Sequence, residues 1–358
     1  MAIQRGKRGY LVSVRDADRK WFPRLTFSTL DEAKAYEKDC ELRALKGEAP
    51  NPKARQTFHQ LWLQWAAECR TETSEGWKIS QDQMYRDHVK PTLGALKIPE
   101  IRSRHVGALM AACQAKGLGA QTRIHIFNLV HQVFEDAIEV YDYLNANPAR
   151  ARFKPKKPKV TRKFLEPVEA WRFLDHVRDE HLGPAFWIMT LCGLRIGETQ
   201  ALQWKHINLA AGYLTVERQW QRKVRKFTAV KNKTDNKIPM PGELIDYLSG
   251  RKPLGADHES LVLVGQITGD LVHYDTIEDA LKRLCKSGGF PALSPHELRH
   301  TSTEIWIEAG ANQEDLRRLL NHNSAASVAP YLHKTERRMG ALSKQVGRAG
   351  PDLKLVKA

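Results

Sequence analysis

No stretch of this sequence is apolar for long enough to cross a bilayer: the longest run, Ala185 to Leu194, stops well short of the roughly 20 residues a helical span needs. The first residues, Met1-Ala-Ile-Gln-Arg-Gly-Lys-Arg-Gly9, lack the apolar core of a signal peptide. Cysteine is scarce and unpaired. The five present (Cys40, Cys69, Cys113, Cys192 and Cys285) are odd in number, widely spaced and free of any C-x-x-C, which argues against a disulfide frame or a zinc site and fits reduced thiols in a cytoplasmic protein. The 14 histidines include no H-E-x-x-H and none at ligand spacing from a cysteine, so no metal is expected. There is no internal repeat and no low-complexity tract.

What the sequence has in excess is positive charge. A formal net charge of +16 and a pI near 9.6 call for an acidic partner, and nucleic acid is the commonest. At 358 residues the chain suggests two or three domains, each able to bury its own core.

Several basic and hydroxyl-bearing residues then fall into order. Leu293-Ser-Pro-His296-Glu-Leu-Arg299-His300-Thr301 is followed by Asn321-His322 and, nine residues after that histidine, by Tyr331. Upstream stand Cys192-Gly-Leu-Arg195-Ile-Gly-Glu198 and the lysine-bearing Val230-Lys-Asn-Lys-Thr-Asp-Asn-Lys-Ile-Pro-Met240. Arginine offers a permanently charged planar fork that matches phosphate oxygens two at a time, and a tyrosine phenol oxygen can form a covalent intermediate. A phosphodiester resists attack because its anionic oxygens repel nucleophiles and its alkoxide leaves poorly. Cations on the non-bridging oxygens, an aligned nucleophile and a proton for the leaving oxygen are the remedy.

With G-L-R-x-x-E at Gly193–Glu198, H-x-L-R-H-T at His296–Thr301, the second histidine at His322 and the tyrosine at Tyr331, the sequence resembles the tyrosine recombinases, and within them the phage-type integrases. The resemblance implies that Arg195 and Arg299, each expected on a different helix, grip one phosphate. Tyr331 would attack phosphorus to leave a 3′-phosphotyrosyl bond, and His296 and His322 would hydrogen-bond the same oxygens. In such enzymes the general acid is a lysine of a β-hairpin. Counting back from Pro239 favours Lys231, with Lys233 the alternative. Glu198 would orient a partner across one helical turn. His300, next to Arg299, is read as structural and pointing elsewhere. Two positions depart from the pattern. Asn321 stands where glycine usually precedes the second histidine, and asparagine is the next residue most able to hold a left-handed backbone. Pro330 directly before Tyr331 removes a backbone donor and disfavours a helical Ala329.

The expected fold is mainly α with small β elements (α+β). Gly9–Arg15 and Trp21–Phe27 read as strands around a turn at Asp16–Arg19. Thr29 with Glu32 makes a capping box for a helix to about Lys46, closed by Gly47. Residues 1–52, expected to form a three-stranded sheet plus helix that includes these two strands, resemble an arm-type DNA-binding domain, with Lys7, Arg8, Arg15, Arg19, Lys20 and Arg24 able to meet phosphates. After a proline-marked linker, residues 53–151 read as a helical core-binding domain: Phe58, Leu61, Trp62 and Trp65 share a face behind the N-cap Thr57, and further helices start near Ser103 and Ala120. Residues 152–163 form a basic linker, in which Lys154, Lys156, Lys157, Lys159, Arg162 and Lys163 can track a duplex. The catalytic domain, 164–344, is expected to be mostly helical with short strands near Leu214–Glu217, Lys226–Ala229 and Lys237–Met240, before a tail at 345–358.

The function so implied is site-specific cutting and rejoining of double-stranded DNA, at attachment core and arm sites, to integrate or excise a mobile element. It would be carried out by a homo-tetramer in the cytoplasm of a bacterial host, without cofactor, metal or membrane, and with accessory excision or DNA-bending proteins. Three rivals stay open: a chromosome-dimer resolvase, which usually lacks the first domain; a type IB topoisomerase-like enzyme; and a catalytically inactive DNA-binding regulator.

Overall fold

The computed structural model describes residues 3–6, 9–14, 25–45, 56–144, 146–158, 163–230, 237–255, 257–267 and 269–320. The chain divides into two compact units, Met1–Lys159 and Val160–Ala358.

In the first unit, β1 (Ile3–Gly6), β2 (Gly9–Val12) and β3 (Leu25–Phe27) form an antiparallel sheet in sequence order, with Arg5 opposite Tyr10 and Tyr10 opposite Phe27. Helix α1 (Leu30–Leu45) starts where Thr29 Oγ1 accepts the Glu32 amide at 3.3 Å. Its Ala33, Tyr36 and Cys40 cover Val12 and Phe27 to make a small separate core. The expected turn at 16–19, the helix stop at Gly47 and the six basic residues from Lys7 to Arg24 lie outside the described residues.

A second core in this unit is helical. Helix α2 (Phe58–Glu68) opens on a reciprocal cap between Thr57 and Gln60 and buries Phe58, Leu61, Trp62 and Trp65, the face its 3.6-residue spacing dictates. Helix α3 (Glu75–Met84) passes through one π-helical turn, Tyr85–Val89, into α4 (Lys90–Leu93). That turn carries Tyr85 inward, where its ring lies 4.1 Å from Trp62 and nearly parallel to it. Helices α5 (Ser103–Ala115) and α6 (Ala120–Glu139) close the bundle, and Val106, Leu109, Val130, Val133 and Phe134 fill it. The chain that follows stays attached: Phe153, in a 3-10 turn at Ala151–Phe153, packs so closely on Gly107 that a Cβ there would meet its ring at 2.7 Å. Contact with the bundle therefore reaches Phe153, inside the segment 152–163 read as a basic linker.

The second unit is built around α8 (Gly183–Cys192), every residue of which is buried. A helix apolar all round can only be a core helix. It is flanked by α7 (Pro167–His176), α10 (Gly242–Arg251) and α12 (Pro295–Glu308), with Trp187 stacked on Tyr247 at 4.3 Å and donating its indole N–H to the Leu174 carbonyl at 3.0 Å. The short α9 (Ile196–Ala201), α11 (Tyr274–Ser287) and α13 (Gln313–Leu319) complete the helices of the described part. Five strands appear there, where three were expected. β4 (Ile207–Asn208), β5 (Tyr213–Thr215) and β8 (Lys237–Pro239) form one antiparallel sheet, and β6 (Arg218–Gln221) and β7 (Lys226–Ala229) form a separate hairpin. The run Leu214–Glu217 is thus split: β5 ends at Thr215, and the chain leaves its sheet to start the hairpin at Arg218.

Candidate active site

The two sequence boxes meet at the C-terminal end of α8. Gly193 ends that helix in the left-handed region at φ 65°, where its missing Cβ matters twice. An L side chain is strained at that φ, and a Cβ would meet Leu320 Cδ2 at 3.0 Å and Ser302 Oγ at 3.2 Å. The turn buries Leu194 and delivers Arg195 in an extended conformation as the N-cap of α9. Arg195 was expected within a helix, and the structure corrects this: it stands just before one. The reason is Glu198, whose carboxylate reaches back to take both the Arg195 backbone N–H (Oε2, 2.7 Å) and its Nη1 (Oε1, 2.7 Å). An R-x-x-E spacing serves a cap as well as it serves a helical turn.

Helix α12 supplies the second arginine. Its start is fixed by a cap between Ser294 and Glu297, with the Ser294 amide donating to Glu297 Oε2 at 2.6 Å. Its position is fixed by Ser302 and Trp306, both donating to the Leu191 carbonyl of α8, and by the Leu165 amide donating to Thr301 Oγ1. Arg299, 3% exposed, points into the junction. Its Nη1 donates to the Gly193 carbonyl at 2.6 Å, and its Nη2 donates to the Leu320 carbonyl. The same Nη1 lies 3.7 Å from Glu198 Oε2.

One buried carboxylate, Glu198, is therefore shared by two guanidinium groups of unequal access: Arg299 beneath, and Arg195 with 42% of its side chain open to solvent. Burying a lone carboxylate is costly, and two arginines offset that cost. With two cations to one anion the cluster keeps net positive charge at its open side, as binding a phosphate monoanion requires. His296 lies one helical turn before Arg299 and is exposed. Its ring meets that of buried His300 at 4.6 Å and 75°. His300 was read as structural, and it is buried with its ring packed on that of His296.

Three tyrosines of the first unit are poor nucleophiles. Tyr85, Tyr141 and Tyr143 are buried, and burial pushes the Tyr85 and Tyr141 phenols well above the usual range. Burial does the same to the Cys192 thiol, which donates to the Pro239 carbonyl at 3.8 Å and stays protonated beside the site. Lys154, Lys156, Lys157 and Lys163 are exposed. Lys231, Lys233, His322 and Tyr331, with Asn321, Pro330, Lys159, Arg162 and the tail, lie outside the described residues. Among the described residues no group of three or more His, Cys, Asp or Glu side chains could hold a metal ion, and no helix is long and apolar enough to cross a membrane. The sequence reading passed over the carbonyls of Gly193 and Leu320, because backbone partners leave no residue signature. It also passed over the Ser294–Glu297 cap, whose S-x-x-E signal was present.

The sequence of the second unit matches a known family. Residues 163–338 match the profile described as the Phage integrase family. The chain is 24% identical over 260 residues to the tyrosine recombinase XerC of Xanthomonas axonopodis pv. citri, covering 71% of this chain and 81% of that protein. To the ICEBs1 integrase of Bacillus subtilis it is 22% identical over 308 residues, covering 82% and 83%. In fold it is similar to the Tn1549 transposon integrase in complex with circular intermediate DNA, at a TM-score of 0.67 and 20% identity, covering 77% of this chain and 94% of that one. Over residues 163–338 the chain belongs to the phage integrase family of tyrosine recombinases.

Proposed function

We propose that this protein is a site-specific DNA recombinase of integrase type, which integrates or excises a mobile element by cutting and rejoining double-stranded DNA. The observation that carries the reading is the pair of guanidinium groups, Arg195 and Arg299, brought from two distant boxes onto one buried carboxylate. In the proposed reaction they neutralise the non-bridging oxygens of the scissile phosphate, with His296 and His322 donating to the same oxygens. The Tyr331 phenol oxygen attacks phosphorus and gives up its proton to His296. The P–O5′ bond breaks as Lys231, or Lys233 in its place, protonates the departing 5′-oxygen. The 3′-phosphotyrosyl linkage keeps the energy of the broken ester, so the reverse attack by a 5′-hydroxyl rejoins a strand without ATP and without a cofactor.

Exchanging strands between two duplexes requires four cuts, and a chain with one such tyrosine must then act as a homo-tetramer. The reading assigns residues 1–52 to arm sites, 53–151 to the core site, 152–163 to a duplex-tracking linker and 164–344 to catalysis. It places the protein on DNA in the cytoplasm of a bacterial host, with excision or DNA-bending proteins as accessories. The sheet-plus-helix module within residues 3–45 favours this reading over a chromosome-dimer resolvase.

A suicide DNA substrate, whose cut strand diffuses away, tests it. Wild-type protein is expected to accumulate a covalent protein–DNA adduct. Tyr331→Phe is expected to bind equally well and form none, because only the nucleophilic oxygen is lost. Adduct from the variant would remove Tyr331 from its role, and no adduct from wild type would favour a DNA-binding regulator.

A further inference from the structure

The β6–β7 hairpin takes no part in the chemistry described so far, and its composition is one-sided: residues 218–230 hold five basic side chains and no acidic one. A two-stranded hairpin is marginal by itself. This one is held against α9. Arg218 Nε donates to the Ala201 carbonyl at the C-terminal end of α9 at 3.1 Å, and the Trp220 carbonyl lies against Gly197 in its first turn, where a Cβ would sit 2.6 Å away. Across the strands Trp220 faces Phe227, the rings 5.0 Å apart, and Arg218 covers Phe227 at 4.5 Å. The root is closed by the Val230 amide donating to the Glu217 carbonyl at 3.2 Å.

Those two anchor points set a direction. Ala201 meets Arg218 and Gly197 meets Trp220, so β6 runs antiparallel to α9 and its turn projects past the end that Arg195 caps. Arg222, two residues beyond Trp220, extends at most about 7 Å further along the strand, while Arg195 lies two residues, about 3 Å of helix rise, before Gly197. The turn is a four-residue loop closed by the Arg225 amide on the Gln221 carbonyl at 2.8 Å, with Arg225 itself left-handed at φ 51°. Its Arg222, Lys223 and Arg225, and Lys226 just after it, are exposed. Arg222 pairs with Asp275 at 3.0 Å and lies over the Tyr274 ring. An exposed pair of this kind contributes little and can exchange for a phosphate.

We infer that this hairpin tip is a separate DNA contact of the catalytic domain, in which Arg222, Lys223, Arg225 and Lys226 neutralise backbone phosphates flanking the one held by Arg195 and Arg299. The inference rests on the strand-transfer reading above and adds to it a binding element distinct from the catalytic groups and from the interdomain linker. Exposed Arg and Lys side chains on a turn suit phosphates, and phosphate contacts position DNA without specifying its sequence.

The test compares the full chain with a variant carrying Arg222→Gln, Lys223→Gln, Arg225→Asn and Lys226→Gln, asparagine being chosen to keep the left-handed turn. Binding to one core-site duplex is measured from low to high salt. Each neutralised phosphate contributes about 0.9 to the slope of log affinity against log salt, so the variant's slope is expected to be shallower by about 2 to 3.5. Duplexes with single neutral methylphosphonate linkages locate the contact. Linkages beside the cut are expected to weaken wild-type binding and to leave variant binding unchanged. An equal slope and the same methylphosphonate map for both proteins would overturn the inference. Lys223→Gln and Lys226→Gln singly, which leave the turn and the Asp275 pair intact, repeat the measurement should the fourfold variant melt early. Adduct formation by wild type on the suicide substrate is scored in the same experiment. Its absence would count against the recombinase reading, whereas adduct with unchanged slopes would count against the hairpin alone.

Discussion

Arg195 and Arg299 share a carboxylate but are held in opposite ways. Arg195 caps a six-residue helix, is tied on one side to Glu198 and turns its other side to solvent. Arg299 comes from the interior of a long helix, is 3% exposed, and ties the last residue of one turn (Gly193) and the residue after α13 (Leu320) to a single guanidinium. The pair proposed to grip the phosphate thus joins one adjustable member to one that is part of the core. In the second, folding and chemistry cannot be separated, because the donors that would face substrate are on the same plane as those that hold the backbone.

The largest effects expected are those that break this pair. Arg195→Ala and Arg299→Ala should each slow adduct formation by about 10²-fold or more, the loss typical of a removed transition-state donor. Their stabilities should diverge. Arg299→Ala leaves the buried Gly193 and Leu320 carbonyls without their donor, removes the second cation near Glu198, and should cost about 3 kcal/mol or more. Arg195→Ala removes a half-open partner and should cost about 1 kcal/mol. Urea melts beside single-turnover assays check this; equal destabilisation by the two would erase the distinction.

Next in size is the turn both arginines depend on. Gly193→Ala places a Cβ in the left-handed region and against Leu320 and Ser302, and should destabilise by about 1 to 2 kcal/mol. Because the Gly193 carbonyl is an Arg299 acceptor, cleavage should fall with it, by more than the unfolded fraction accounts for. A variant as active per folded molecule as wild type would show that the turn is only a helix stop.

What could be read in advance follows the range of each interaction. The caps at Thr29 and Thr57 and the helix starts at Ser103 and Ala120 are local, three or four residues long, and the sequence displays them. The two boxes were legible because residue type and order carry the chemistry. The hairpin strand Arg218–Gln221 was not, since Arg-Gln-Trp-Gln shows no apolar alternation: its attachment to α9 is made by a backbone carbonyl and a guanidinium, and all four residues are only partly buried. The Arg195 cap was misread as helix for a different reason, the identical spacing of the two arrangements. The placement of Arg299 over Gly193 and Leu320 links positions far apart in the chain through main-chain oxygens, and no pattern of residue types encodes that.

The smallest effect expected concerns the support of Leu320 from below. Helix α13, which ends at Leu319, opens on the Asn312 cap, and Glu314 in its first turn accepts from both Arg317 and Arg318, at 2.7 and 3.1 Å. Hydrogen bonds from Arg317 and then Arg318 hold the Glu314 carboxyl down at about 2, below the ordinary 4.5. A depressed carboxylate contributes stability above its unfolded pKa and loses it as pH falls toward the folded one. The contribution of Glu314 is therefore complete above about pH 5 and fades between there and pH 2. The groups are exposed and screened, so the effect is small and should shrink in high salt. Melting wild type and Glu314→Gln side by side at pH 6 and pH 3 checks it. The wild type should melt higher at pH 6, and the gap should narrow at pH 3. A gap that is independent of pH would mean that the glutamate supports Leu320 by its bulk, and that the rigid side of the arginine pair is insulated from the charges beneath it.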